Sequence, residues 1–395
     1  MALIAATMPL YVLRFRIGPL PTTLLEILIL ATVGVYAAAV VAGQARWPRW
    51  TGFEIPIALL LLAGIIGVFV ASDHRSALGA YRAYLLEPVA LFYVAAAVLD
   101  LERAMQALLI AGALGALLFA TLEIVTLLRS LLAGTLDIAH AAAALDINPN
   151  SVAIYLEPLI ALGAAFWLFA RGRTRLLSAS LLLVLIAAEV STLSRGGLLT
   201  LGVLGLIVLV SVRSWTIRLA VAATAVGGSI AAWQVTSIRL RILYMFSEQD
   251  NGPLFNRPHI WAATLRMLED HPVFGAGING YQTVMGPYRG NDPYNVPEPY
   301  AHNIFLSTWS ELGLLGLAAF TWILGALLLR PWRAIRRASG IQVPLLWGTG
   351  VAYAMITAHG IVDTPYWKND LSLEFWLLAA IQLVALRAVA AAGRD

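Results

Sequence analysis

The 395-residue sequence has no cysteine, a single lysine and little charge of either sign. Without cysteine there is no disulfide framework, no thiolate nucleophile, no iron–sulfur cluster and no zinc ribbon, and thiol usage says nothing about redox compartment. Only 12% of residues are charged and 60% are apolar, against about 25% and about 45–50% in a soluble domain. A water-soluble chain is excluded. Of the 26 basic residues all but Lys368 are arginine, and the formal net charge is +4. No cleavable signal peptide is expected, because the apolar N-terminus has neither a basic flank nor a cleavage signal before the next apolar run. Internal repeats, low-complexity tracts, a Walker A loop, H-E-x-x-H and D-x-D are also missing.

What the sequence has is apolar runs. A membrane core needs about 20 apolar residues per helix. Twelve segments suit it: 1–13, 22–42, 54–71, 82–99, 104–128, 151–170, 175–193, 196–212, 217–235, 303–329, 341–361 and 371–392. The first is short for a straight span and reads as re-entrant or tilted. The expected fold is an all-α polytopic membrane bundle of about twelve transmembrane segments. It divides into an N-terminal bundle (1–235), a long extracytoplasmic loop with short helices (236–302) and C-terminal helices (303–395).

Arginine placement sets the orientation, since short cytoplasmic loops retain positive charge. The clusters are Arg46 and Arg49; Arg103; Arg171, Arg173 and Arg175; Arg213 and Arg218; and Arg330, Arg333, Arg336 and Arg337. Assigning them to the cytoplasm puts both termini inside. It puts 72–81, 129–150, 236–302, 362–370 and the Ser194-Arg195-Gly196 turn outside.

Chemistry is expected on that outer face. Arg195 lies between two apolar segments, and an ionisable group there is a functional-site hypothesis; the plainer alternative is an arginine snorkelling to headgroups. Glu189 is a possible partner at a poor helical spacing. Pro258 at a first helical position would leave Arg257 as the N-cap of an amphipathic helix running to Asp270. A guanidinium beside helix N–H groups reads as an anion site, and the competing reading pairs Arg257 with Glu248 or Asp250. His302, where the long loop re-enters the membrane, has the near-neutral titration of a proton acceptor. The remaining histidines (His74, His140, His259, His271 and His359) have no metal-ligand spacing. Gly275 to Gly280 matches G-x-G-x-x-G, but without a preceding strand or a βαβ unit it is a chance match. The acidic pair Asp100 and Glu102 falls on the cytoplasmic side. Buried acids such as Glu26, Glu87, Glu123, Glu157 and Glu374 are expected mostly to pair with arginines.

Three stretches resemble the O-antigen ligase family of membrane glycosyltransferases, which includes ligases and related polymerases. They are Ser191-Thr192-Leu193-Ser194-Arg195-Gly196-Gly197; Asn256-Arg257-Pro258-His259-Ile260-Trp261 through Asp270-His271-Pro272-Val273-Phe274-Gly275-Ala276-Gly277; and Ala301-His302-Asn303-Ile304-Phe305-Leu306 through Glu311-Leu312-Gly313-Leu314-Leu315-Gly316. Asn148-Pro149-Asn150 and His359-Gly360-Ile361-Val362-Asp363 are weaker echoes. The resemblance implies transfer of a glycan from a polyprenyl-diphosphate carrier to an acceptor hydroxyl on the extracytoplasmic face of a bacterial inner membrane. It implies Arg195 and Arg257 on the diphosphate, His302 on the acceptor hydroxyl, and inversion at the anomeric carbon without metal or cofactor. Arg82, Tyr81 and Asp363 are further candidates for sugar or phosphate contacts. The expected partners are the lipid-linked donor, a lipid or glycan acceptor and membrane lipids, and no nucleic acid. A polysaccharide polymerase is the alternative within the family. A transporter would show repeated halves and polar residues at the bilayer midplane, and a non-catalytic scaffold would have no need of His302.

Overall fold

The computed structural model describes residues 1–18, 20–100, 102–136, 143–234, 239, 253–292, 295 and 297–393. All twelve apolar runs are helical in it. The order is α1 (Ala2–Thr7, prolonged by a 3-10 turn over Met8–Val12), α2 (Leu24–Val41), α3 (Glu54–Val70), α4 (His74–Tyr81), α5 (Glu87–Val98), α6 (Glu102–Leu132), α7 (Pro149–Phe169), α8 (Gly172–Ser191), α9 (Arg195–Ser211) and α10 (Trp215–Gln234). After the long loop's α11 (Pro253–Asp270), α12 (Tyr281–Val284) and α13 (Gly286–Arg289) come α14 (Ile304–Ala334), α15 (Gln342–Gly360) and α16 (Asn369–Ala392). Among the described residues seven helices are long and apolar enough to cross a membrane, with α4 and α5 counted as one through the π-helical turn Arg82–Leu86. Ala2–Val12, Glu54–Val70, Arg195–Ser211 and Trp215–Ile230 are apolar but shorter.

Polar side chains start the key helices. Thr23 and Glu26 form a reciprocal capping box on α2, and Ser194 caps α9 by accepting from the Gly197 N–H. Asn303 caps α14 by accepting from Phe305 and Leu306 N–H. In the packing, α7 lies against α8 and α15, α3 against α14, α16 against α5, and α1 against α6. α7, α15 and α16 are buried on most of their surface, as expected of helices apolar all round. One end of the bundle gathers Arg49 on Asp100, Arg330 on the Gly52 carbonyl and Arg387 on the Ala96 and Trp50 carbonyls. The loops around residues 76, 150, 194, 279, 302 and 363 contact one another at the other end. The two groups of loops separated by arginine content thus lie at opposite ends of the helices.

Two expectations are corrected. Residues following the first apolar segment form an antiparallel hairpin, β1 (Arg14–Ile17) paired with β2 (Leu20–Thr23), where no strand was expected. Second, α11 begins at Pro253, so Pro258 lies inside the helix and Arg257 is not its N-cap. Glu248, Asp250 and His140 lie outside the described residues, as does most of 236–252.

The long loop is docked by glycines. Gly275 and Gly277 have φ of +67° and +80°, which puts the Ala276 N–H on the Ser310 carbonyl (2.7 Å) and the Ile278 N–H on the Gly67 carbonyl (3.1 Å). Gly313, φ +67°, breaks α14 so that the Leu314 N–H reaches the Val273 carbonyl at 3.0 Å. The G-x-G run is therefore a packing staple between α3 and α14. A Cβ at Gly277 would sit 2.7 Å from the Gly67 carbonyl oxygen and 2.8 Å from Ala71 Cα. Gly277→Ala should destabilise the protein by roughly 1–3 kcal/mol, read as a lower unfolding temperature in detergent. Gly286→Ala, where a Cβ meets open space, should not; equal stability of the two variants contradicts the docking role.

Candidate active site

Asp363 is the hub of the loop cluster at the end of the bundle opposite Arg49, Arg330 and Arg387. It follows the end of α15, where its N–H bonds the His359 carbonyl at 2.8 Å. Its Oδ1 accepts from the Thr364 N–H (2.9 Å) and meets His302 Nδ1 at 3.1 Å. Its Oδ2 accepts from Asn150 Nδ2 (3.0 Å) and lies 3.6 Å from Arg257 Nη2. The carboxylate side chain is 5% exposed. Four separate parts of the chain, α7, α11, the start of α14 and the turn after α15, are thereby tied to one buried charge.

His302 is held on both sides, since Nε2 is 3.2 Å from Glu298 Oε2 while Nδ1 faces Asp363. The Tyr300 ring packs edge-on against it at 4.7 Å. Its backbone lies in the left-handed region, φ +49°, an uncommon conformation for a residue with a side chain and one that clusters at functional sites. The Trp261 indole N–H, from α11, reaches the His302 carbonyl at 3.4 Å. Burial works against protonation, yet hydrogen bonds to Asp363 and Glu298 outweigh it and raise the imidazole above its ordinary pKa. Burial would raise Asp363, but the His302 hydrogen bond and the charges of His302 and Arg257 hold it well below the usual carboxylate range. Burial lowers the Arg257 pKa, partly offset by Asp363, Glu298 and Tyr300. Arg257 remains a cation at neutral pH.

Arg195 opens α9 directly after its cap, and the cap joins the cluster: Ser194 Oγ donates to Asn150 Oδ1 at 2.8 Å. The two glycines that follow are sterically required. A Cβ at Gly196 would collide with His359 Nε2, and one at Gly197 with Glu189 Oε1. His359 is itself paired with Glu157 of α7, both essentially inaccessible. That pair fixes the end of α15 from which Asp363 projects. Glu189, the possible partner of Arg195 in the sequence, lies against Gly197.

The other expected residues fall elsewhere. The Tyr81 ring packs into the space left by Gly64 on α3. Arg82 is held by Glu26 and Glu87 at 3.1 Å each, which bears out the arginine-pairing role for those two acids. The acids inside the bundle differ, since Glu157 pairs with a histidine and Glu123 accepts from the Ala144 N–H at 2.7 Å. Asp363, expected as a ligand contact, instead has both oxygens engaged by protein. Glu298 was not singled out in the sequence, although its spacing of four residues from His302 between two prolines was visible. Beside the cluster is a cavity of about 320 Å³ lined by Tyr11, Arg14, Asn148 and Lys368 among others. The Lys368 ammonium donates to Ser151 Oγ. Burial lowers its pKa, with Asp370 and Asp363 opposing.

The arrangement offers a basic pocket wall, a titratable imidazole and a buried carboxylate that orients both. No curated protein matches the chain. The family model described as O-Antigen ligase matches residues 180–321, a stretch that contains Arg195, Arg257, His302 and all three motifs. Over residues 180–321 the chain is thus similar to the O-antigen ligase family.

Proposed function

We propose that the protein transfers a glycan from a polyprenyl-diphosphate carrier to an acceptor hydroxyl, with the His302–Asp363–Arg257 cluster as its active site. The observation that carries this reading is the meeting of Arg257 and His302 on one buried carboxylate, with Arg195 next to the cap of the same network. The segregation of cytoplasm-type arginine loops at the opposite end supports an extracytoplasmic site and both termini in the cytoplasm, and the likeness to the O-antigen ligase family supports a bacterial inner membrane as the location.

In the reaction the acceptor oxygen attacks the anomeric carbon from the face opposite the leaving group. The bond from that carbon to the diphosphate oxygen breaks, inverting configuration, and polyprenyl diphosphate departs. Arg195 and Arg257 bind the charge that builds on the leaving group, an interaction stronger in the transition state than in the ground state. This charge neutralisation by guanidinium groups makes the mechanism metal-independent. The hydroxyl proton passes to His302 Nε2, and Asp363 on Nδ1 fixes the ring and stabilises the imidazolium. Glu298 occupies Nε2 in the structure and is a third exposed, so it swings aside for the acceptor or takes the proton onward from the ring.

The test is the purified protein with a polyprenyl-diphosphate glycan and an acceptor in liposomes, scored by free polyprenyl diphosphate and new glycoside. Arg257→Ala or Arg195→Ala should lower kcat by roughly 10²–10³-fold, and His302→Ala by roughly 10²–10⁴-fold, while a chelator changes nothing. Wild-type turnover in Arg257→Ala and His302→Ala would overturn the assignment. A single added unit marks a ligase and a ladder of products a polymerase.

The pH profile gives an independent check. A base must be deprotonated, so turnover should rise with pH through the raised pKa of His302. Glu298→Gln removes one of the carboxylates that favours the imidazolium, which lowers that pKa and moves the acid limb to lower pH. An acid limb that stays put or moves upward rules out His302 as the titrating base.

A further inference from the structure

The N-terminal hairpin builds a second basic site. Side chains alternate along a strand, so Arg14 and Arg16 share one face of β1, and both line a cleft of about 570 Å³. Arg75 and Arg82 from the α4 region face the same space, with Asn279 of the long loop and Asn369 at the start of α16. This volume is typical of small-ligand sites.

The acids in the wall are already committed. Glu26 accepts from the Thr22 hydroxyl (2.8 Å), the Thr23 N–H (3.2 Å) and Arg82, and Asn369 donates to its other oxygen at 3.3 Å. Asp73 caps α4 through the Ser76 N–H at 3.0 Å. Arg82 is spent on Glu26 and Glu87 and serves as wall. Arg14 and Arg16, by contrast, are exposed along the cleft. They also stand at the end of the bundle opposite the arginine-rich loops, where the insertion bias disfavours basic residues.

The cleft adjoins the proposed active site. Tyr11 and Arg14 line both it and the smaller cavity at Asn148 and Lys368, and Asn148 caps α7 two residues before the Asn150 that bonds Asp363. We propose that this cleft is a specificity site for an anionic saccharide, holding a phosphate monoester or uronate of one substrate on the Arg14 and Arg16 forks while the reacting group of that substrate lies at His302. Planar guanidinium groups suit both anions through paired hydrogen bonds. The proposal rests on reading the His302 cluster as the glycan-transfer site.

The test uses full-length protein in neutral detergent and two fluorescent disaccharide lipids that differ by one phosphate. The phosphorylated twin should bind roughly tenfold more tightly, with the preference shrinking as salt is added. Arg14→Gln/Arg16→Gln should abolish the preference, whereas Arg333→Gln at the opposite end should keep it. In a transfer assay the phosphate is placed on the acceptor or on the donor glycan; the substrate whose KM rises in the double variant is the one the cleft holds. Equal binding of the twins, an unchanged preference in the double variant, or displacement by phosphatidylglycerol at the same affinity overturns the proposal, the last by assigning the cleft to lipid headgroups. A preference that depends on Arg14 and Arg16, with no transfer from any polyprenyl-diphosphate donor, supports the cleft and removes the transfer reading.

Discussion

The site depends on one buried carboxylate. An uncompensated charge in a low-dielectric interior is costly, and removing a partner from a buried pair commonly costs about 3–5 kcal/mol. Asp363 meets this constraint with His302, Arg257, Asn150 and the Thr364 N–H. Because these partners come from distant parts of the chain, satisfying the charge also assembles the site. The His302 ring is oriented and Arg257 is placed beside it by the same oxygens.

The packing below serves that arrangement. The Glu157–His359 pair holds the end of α15, and Gly196 lets the start of α9 pass over His359 so that Ser194 can reach Asn150. From the loop side, Gly275, Gly277 and Gly313 bring backbone into contact with α3 and α14, which fixes the segment connecting Arg257 to His302. The long loop is thus anchored to the bundle at both Arg257 and His302.

Much of this was legible in the sequence. All twelve apolar runs proved helical, because a lipid-spanning stretch leaves a long compositional mark, whereas α4 lies in a stretch read as a loop. Arg195 and His302 stood out as polar residues at the edges of those runs and Arg257 as an expected helix cap in the long loop, and the family match covers the stretch that holds them. The hairpin was hidden because two four-residue strands leave little periodicity. The start of α11 was misread because proline at a first helical turn and proline one turn inside look alike locally. Asp363 was undervalued and Glu298 missed for a different reason. Their roles depend on contacts across 61 residues in the first case and on a proline-flanked loop in the second, and neither is written in local spacing.

The claim that Asp363 couples the cation and the imidazole into one unit is tested most directly by a double-mutant cycle on kcat/KM for glycan transfer, using Arg257→Gln and Asp363→Asn. If the carboxylate acts through its hold on Arg257 and His302, the double variant is about as slow as the worse single variant, a coupling on the order of 1–3 kcal/mol. Losses that simply multiply would mean that Asp363 and Arg257 act independently, and would contradict the account.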